Sequence, residues 1–309
     1  MSAPGFYFLY AILYTLALLP FWFLYLLSDC LYVLLYYVFR YRRTIVTDNI
    51  ANAFPSKSKK ERIKIEKAFY VHFADMMIES LKMIHLSPEK LSKRIPVLNP
   101  EILDQYRVSG RSIAAVGAHY GNWEWTLGIV QHLNYKTIGV YKPLNNKRFD
   151  TFINKMRSKF GSELVSMRDI IRVILKYKIE KTPTFNVFIA DQSPVWEETQ
   201  YWTQFLNQTT AVYLGPEKIA KQFNMVVLYG KIEKTGRGRY SVELIPIAEN
   251  PSEMGEFEIT RRFFQELENQ IISKPEYWLW SHRRWKLTRK REKEEKNGIF
   301  RFNENNVRK

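Results

Sequence analysis

The sequence has one cysteine, Cys30, set in an apolar stretch. No disulfide can therefore close within the chain, and no cysteine cluster can hold a metal. A glycine-rich phosphate loop is also missing, so the usual sign of a nucleotide site is absent. Charge is almost absent from residues 6–39 (FYFLYAILYTLALLPFWFLYLLSDCLYVLLYYVF), where Asp29 stands alone. Acidic residues are few beside basic ones, 31 against 47, for a net charge of +16. A surface that basic suits nucleic acid, anionic lipid head groups or an acidic protein, and composition does not choose among them.

What is present begins with the apolar run. As a continuous helix it would reach ~50 Å, longer than a ~30 Å hydrocarbon core. The reading is a segment that tilts, breaks near Pro20 or at Ser28-Asp29, or lies partly in the interface. No charged n-region precedes it and no A-x-A-like site follows, so it reads as a retained anchor rather than a cleaved signal. Arg40-Tyr41-Arg42-Arg43 comes next, and such clusters flank the cytoplasmic end of a membrane segment. Residues 1–43 are thus expected to anchor the chain, with the remainder on the cytoplasmic side. The tyrosines and tryptophans of 7–37 suit a belt at head-group depth.

The rest alternates between two periodicities. Residues 59–84 repeat as a helix, with Ile63, Ala68, Phe69, Phe73, Met76, Met77 and Leu81 near one face. Ser112–Ala118 is a short apolar run that reads as a buried strand. Asn122 is placed to cap a helix running to about His132. Strands are expected at Thr137–Tyr141, Glu163–Met167 and Thr184–Ala190, with helices over about 146–160 and 169–178. Strands alternating with helices predict an α/β fold with a mainly parallel central sheet flanked by helices. Met225–Ile232 and Arg239–Ile247 read as a late β-hairpin, followed by a helix over 254–273. One α/β domain over 44–285 is expected, and 286–309 reads as a charged, mobile tail.

Gly117-Ala118-His119-Tyr120-Gly121-Asn122-Trp123-Glu124 carries the candidate chemistry. His119 follows the first strand directly, and open α/β sheets bind ligands at the carboxyl ends of their strands. A hydroxyl is a weak nucleophile, and an imidazole that titrates near neutrality can take its proton. A carboxylate on the other ring nitrogen would fix the tautomer, and Glu124 in the next helical turn can supply it. No serine or cysteine nucleophile sits in this turn, so direct attack needs no acyl-enzyme. The spacing alone is a weak signal, although none of His72, His85, His132 or His282 has an acid five positions on. The competing reading is a core or capping histidine beside a surface glutamate.

HYGNWEW resembles the H-x4-D/E box of the bacterial lipid A late acyltransferases, the lauroyl and myristoyl transferases. YRRTIVTDNIANAFPSKSKKER (41–62), VYKPLNNKRFDTFINKMRSKFG (140–161), FIADQSP (188–194) and WLWSHRRWK (278–286) resemble further blocks in the same order. The resemblance implies His119 and Glu124 as catalytic base and acid partner, and functional roles for Arg157 and Asp191. An arginine at 157 can hold a phosphate or an oxyanion, though its plain reading is a solvent-facing helix residue. Asp191 ends a buried strand, which suits a substrate contact or a structural partner for Arg157. Asn122, Lys142, Arg283 and Arg284 lie in these boxes as candidate substrate contacts, and 282–284 equally suits fixing the chain end. One departure is Phe205-Leu206-Asn207-Gln208-Thr209, where the family often has a glycine.

The resemblance further implies an acyl carrier protein thioester as donor and a lipid A precursor as acceptor, at the bacterial inner membrane. No cofactor, metal or nucleic acid is called for. Two alternatives stay open: another acceptor, such as a glycerolipid, ornithine lipid or glycolipid, or a basic membrane-anchored binder without catalysis.

Overall fold

The computed structural model describes residues 3–296. Helix α1 (Ala3–Leu18) ends before Pro20, and α2 (Phe21–Val33) continues into a π-helical turn at Leu34–Val38. The break near Pro20 expected from length is therefore present: proline can start a helix but cannot extend the preceding one. Phe21–Val38 is long and apolar enough to cross a membrane, and only 22% of it is buried against the domain. The buried side is narrow, comprising Leu24, Ser28 and Tyr36.

Helix α3 (Arg43–Ala53) leads to α4 (Lys59–Lys82), which begins with a Ser58–Glu61 capping box. The face that α4 buries overlaps the one expected and is more polar. Phe69, Tyr70 and Met76 are inside, but so are Glu66, Asp75 and Glu79, while Met77 is 42% exposed and Ile63 half-buried. An apolar periodicity cannot find a face on which three of the eight buried residues are acids. Each acid has partners: Arg43 and Thr47 on Glu66, Ser28, Lys234 and Arg237 on Asp75, and Tyr25, Asn122 and Tyr240 on Glu79. These bonds tie α2 and α3 to the domain.

Two short helices, α5 (Pro88–Ser92) and α6 (Ile102–Val108), precede β1 (Ile113–Gly117). There follow a 3-10 helix (Trp123–His132), β2 (Lys136–Tyr141), α7 (Lys147–Ser158), β3 (Glu163–Ser166), α8 (Ile170–Ile179) and β4 (Thr184–Ile189). Beyond them come β5 (Tyr201–Phe205), β6 (Gln208–Val212), α9 (Gly215–Phe223), β7 (Val226–Gly236), β8 (Arg239–Ala248), α10 (Glu258–Ser273) and α11 (Lys286–Lys296). The main sheet runs β3-β2-β4-β1-β7-β8, parallel except for the antiparallel β7–β8 hairpin at one edge. This is the predicted α/β architecture. β1 lies at the centre with all five residues buried, as an all-apolar strand between two neighbours must.

Helices α3, α5, α6 and α9 were not anticipated, nor were three elements late in the chain. β5 and β6 form a separate antiparallel pair, and the segment expected to be a mobile tail begins as α11. Leu287 and Thr288 are buried there, with Leu287 packed against Trp202 and Ala211. Residues 297–309 of that expected tail lie outside the described residues.

Candidate active site

The register of β1 and β4 sets the site. Gly117 pairs with Ile189 in a parallel ladder, and the Ala190 amide continues it by donating to the Gly117 carbonyl. Two residues beyond each strand end, His119 and Asp191 emerge side by side. Nδ1 of His119 lies 2.6 Å from Oδ1 of Asp191. The indole N–H of Trp278 donates to the other carboxylate oxygen at 2.9 Å. Asp191 is 2% exposed. Burial pushes such a carboxyl up, but the His119 imidazole and the Trp278 indole N–H outweigh it and hold Asp191 below the usual carboxylate value.

With Nδ1–H given to Asp191, Nε2 of His119 carries the lone pair. It accepts from the Gln192 side-chain amide at 3.0 Å. The Trp123 ring stands edge-on to the imidazole, 4.9 Å between centroids. The His119 carbonyl accepts from the Leu279 amide. Ring, tautomer and backbone are thereby all fixed, and the imidazole side chain remains 19% exposed.

Glu124 is placed differently from the expectation. It does not fill the Nδ1 position. Its carboxylate grips Arg157 in a bidentate pair, with Nε to Oε2 at 2.9 Å and Nη2 to Oε1 at 2.5 Å. Helix α7 brings the guanidinium to the 3-10 helix, and a fork-on-fork pair outcompetes a single bond to an imidazole. The carboxylate on His119 thus comes from the next strand, and Asp191 is a partner of His119 rather than of Arg157. Both Glu124 and Arg157 are partly buried, with side chains 17% and 25% exposed.

The remaining candidates divide. Asn122 is fully buried: its amide nitrogen donates to Glu79 and its oxygen caps the 3-10 helix at the Trp125 amide. It shapes the turn and presents nothing to a ligand. Arg284 is 1% exposed and donates to the Ala211 carbonyl and to Ser193 Oγ, so it ties residues 282–286 beneath the 191–193 loop. Burial pushes its guanidinium down to about 10, against the pull of Asp191. Arg283 is exposed, as is Lys142 just past β2 at the carboxyl edge of the sheet. The terminal box is locked from outside too. Asn49 donates to the Trp280 and His282 carbonyls, and Arg42 to that of Ser281.

Sequence reasoning missed Gln192, Trp278, Trp123, His72 and Glu79. The first three lie inside the quoted boxes. His72 and Glu79 sit on α4, far from any motif. Among the described residues, no group of three or more His, Cys, Asp or Glu is arranged to hold a metal.

This geometry defines an α/β protein with a histidine–carboxylate pair at the carboxyl edge of a parallel sheet. The sequence places it further: the family described as bacterial lipid A biosynthesis acyltransferase matches residues 2–287, and the chain belongs to that family of acyltransferases. It is 21% identical over 240 residues to the lipid A biosynthesis myristoyltransferase of Escherichia coli K12, covering 77% of this chain and 73% of that protein. It is 25% identical over 137 residues to lipid A biosynthesis acyltransferase 2 of Shigella flexneri, 44% of each chain.

Proposed function

We propose that this protein transfers a fatty acyl group from an acyl thioester, presented by acyl carrier protein, to a hydroxyl of a lipid A precursor at the inner membrane. The observation that carries the reading is the His119–Asp191 pair, with Nε2 turned away from its carboxylate.

In the proposed step the acceptor hydroxyl displaces the Gln192 amide from Nε2. Its oxygen attacks the thioester carbonyl while Nε2 takes the proton. Asp191, already ionised, stabilises the imidazolium and keeps Nδ1–H in place. The C–S bond then breaks, and the Nε2 proton passes to the departing thiolate. An ester and a free thiol result, with no covalent enzyme intermediate. Arg157 has five N–H donors, two of them engaged by Glu124, so others can meet a phosphate or the developing oxyanion. In this reading Glu124 acts by aiming Arg157.

The anchor and charge fit the same picture. Phe21–Val38 would sit in the bilayer, with Arg40, Arg42 and Arg43 marking the cytoplasmic side. A net charge of +16 suits an acidic carrier protein and a phosphorylated acceptor.

The test is acyl transfer by the purified full-length protein in detergent, read by mass spectrometry of the acceptor lipid. His119→Ala is expected to lower the rate ~10²- to 10⁴-fold, the usual worth of a general base, while the protein stays folded. Near-normal transfer by this variant would sink the mechanism. Transfer by the wild type to glycerolipid but not to lipid A precursor would reassign the acceptor.

A further inference from the structure

Helix α4 holds the catalytic turn from behind. Glu79 is fully buried. Its Oε1 accepts from the Tyr25 hydroxyl at 3.0 Å, and its Oε2 from Asn122 Nδ2 and the Tyr240 hydroxyl, both at 2.8 Å. Its backbone carbonyl accepts from the Trp125 indole at 3.1 Å. Two helical turns earlier, His72 Nε2 meets the Gly121 carbonyl at 3.2 Å. Gly121 and Asn122 lie between His119 and Glu124, so both buried α4 residues grip the segment that spaces the two.

Burying a carboxylate is costly and is tolerated only when donors converge on it. Three donors converge here, each from a different element: α2, the 3-10 helix cap and β8. A packing role alone would be met at lower cost by an apolar side chain. Burial pushes the Glu79 carboxyl above its usual value, against the pull of Asn122, Lys234 and Tyr240. What the group supplies is an acceptor for the Asn122 amide nitrogen, while the Asn122 oxygen takes the Trp125 amide. Tyr25, on the apolar N-terminal helix, engages the other oxygen of the same group.

We propose that Glu79 is a positioning residue that links the seating of α2 to the geometry of the His119–Glu124 turn. The proposal rests on the acyl-transfer reading for its kinetic consequence, though not for its structural one. When α2 docks, the Tyr25 hydroxyl donates to the buried carboxyl and fixes the rotamer of Glu79. Asn122 is then held in one amide orientation, and the 3-10 helix that carries Glu124 starts at a fixed point. Without Tyr25 the carboxylate loses one of its three donors, and the turn loosens next to the reacting groups.

The experiment uses the full chain in nanodiscs and three variants: Glu79→Leu, Glu79→Gln and Tyr25→Phe. Two readouts are taken, kcat and KM for acyl transfer and hydrogen exchange of the amides at 121–125 by mass spectrometry. Glu79→Leu leaves the Asn122 amide nitrogen without its acceptor, and kcat should fall ~10- to 100-fold with KM nearly constant, as small misplacements of catalytic groups do. Exchange at 121–125 should quicken. Glu79→Gln keeps one oxygen that can accept from Asn122 and Tyr240 and should retain most of the wild-type kcat. Tyr25→Phe should shift both readouts the same way as Glu79→Leu by a smaller amount, with no further effect in the Glu79→Leu background. Wild-type kcat in Glu79→Leu, or a loss in Glu79→Gln as deep as in Glu79→Leu, overturns the positioning role. Tyr25→Phe indistinguishable from wild type in both readouts overturns the link to α2, and it keeps the proposal testable if Glu79→Leu does not fold. If the wild type transfers no acyl group, the functional reading fails, while the exchange measurement still decides the role of Glu79.

Discussion

Asp191 has almost no access to water, yet it remains a carboxylate because an imidazole and an indole N–H face its two oxygens. Asp191→Asn should keep the fold but present the wrong group to Nδ1. The ring can then be held in the other tautomer, with Nε2 protonated and unable to accept a proton. Acyl transfer is expected to drop at least ~10²-fold by the logic of histidine–carboxylate pairs, checked by single-turnover rates beside a wild-type circular dichroism spectrum. His72 gives a different pH signature. Burial and the neighbouring Lys234 push it down to about 3. Below about 6.5 an unfolded histidine binds a proton that the native one does not. The stability contributed by neutral His72 is therefore complete near pH 7 and is lost as pH falls toward 3. Thermal midpoints recorded from pH 7 to pH 5 should fall less steeply in His72→Gln than in the wild type. Gly121 is a third test. Its φ is +58°, and an added Cβ would lie 2.9 Å from Ile232 Cγ2. Gly121→Ala should destabilise the fold by ~1–3 kcal/mol, the usual strain at such backbone positions, read as a shift of the denaturation midpoint.

Helix α11 shows what an element can hide. Its composition reads as solvated charge, but Leu287 and Thr288 reach under β5 and β6, where Thr288 Oγ1 donates to the Thr209 carbonyl. Leu287→Ala is expected to cost ~2 kcal/mol or more, at the low end for a buried leucine, measured by chemical denaturation. Two buried contacts in eleven residues are too few to register as a period. The strands β1 to β4 were readable because continuous apolar runs between polar turns have few other homes. The β5–β6 pair was not, because its turn uses Leu206 and Asn207, both at positive φ, in place of the Asn-Gly that marks a two-residue hairpin. That turn is held from outside: the Leu206 amide donates to Glu268 and the Asn207 side chain to the Ala53 carbonyl. Helix α4 was recognised as a helix with Phe69 and Met76 inward, but its buried acids were missed, since partners for Glu66, Asp75 and Glu79 come from elements distant in sequence. The site was half readable for the same reason. His119 announces itself at a strand end, but its neighbour Asp191 is set by the adjacency of β1 and β4, which no local pattern contains.

For the molecule as a whole, the inner side of α2 is wired to the domain by polar groups. Arg237 bridges Asp29 and Asp75, Ser28 donates to Asp75, and Tyr25 donates to Glu79. A leash would need none of these. Cutting the chain after residue 38 to make a water-soluble enzyme is the obvious step for a biochemist, and here it would strip partners from two deeply buried acids. Detergent-solubilised full-length protein should unfold at a higher temperature than the trimmed version in the same detergent, by scanning fluorimetry. The apolar N-terminus is thus less a mooring rope than a wall of the house, and anyone wishing to study the rooms inside will have to leave it standing.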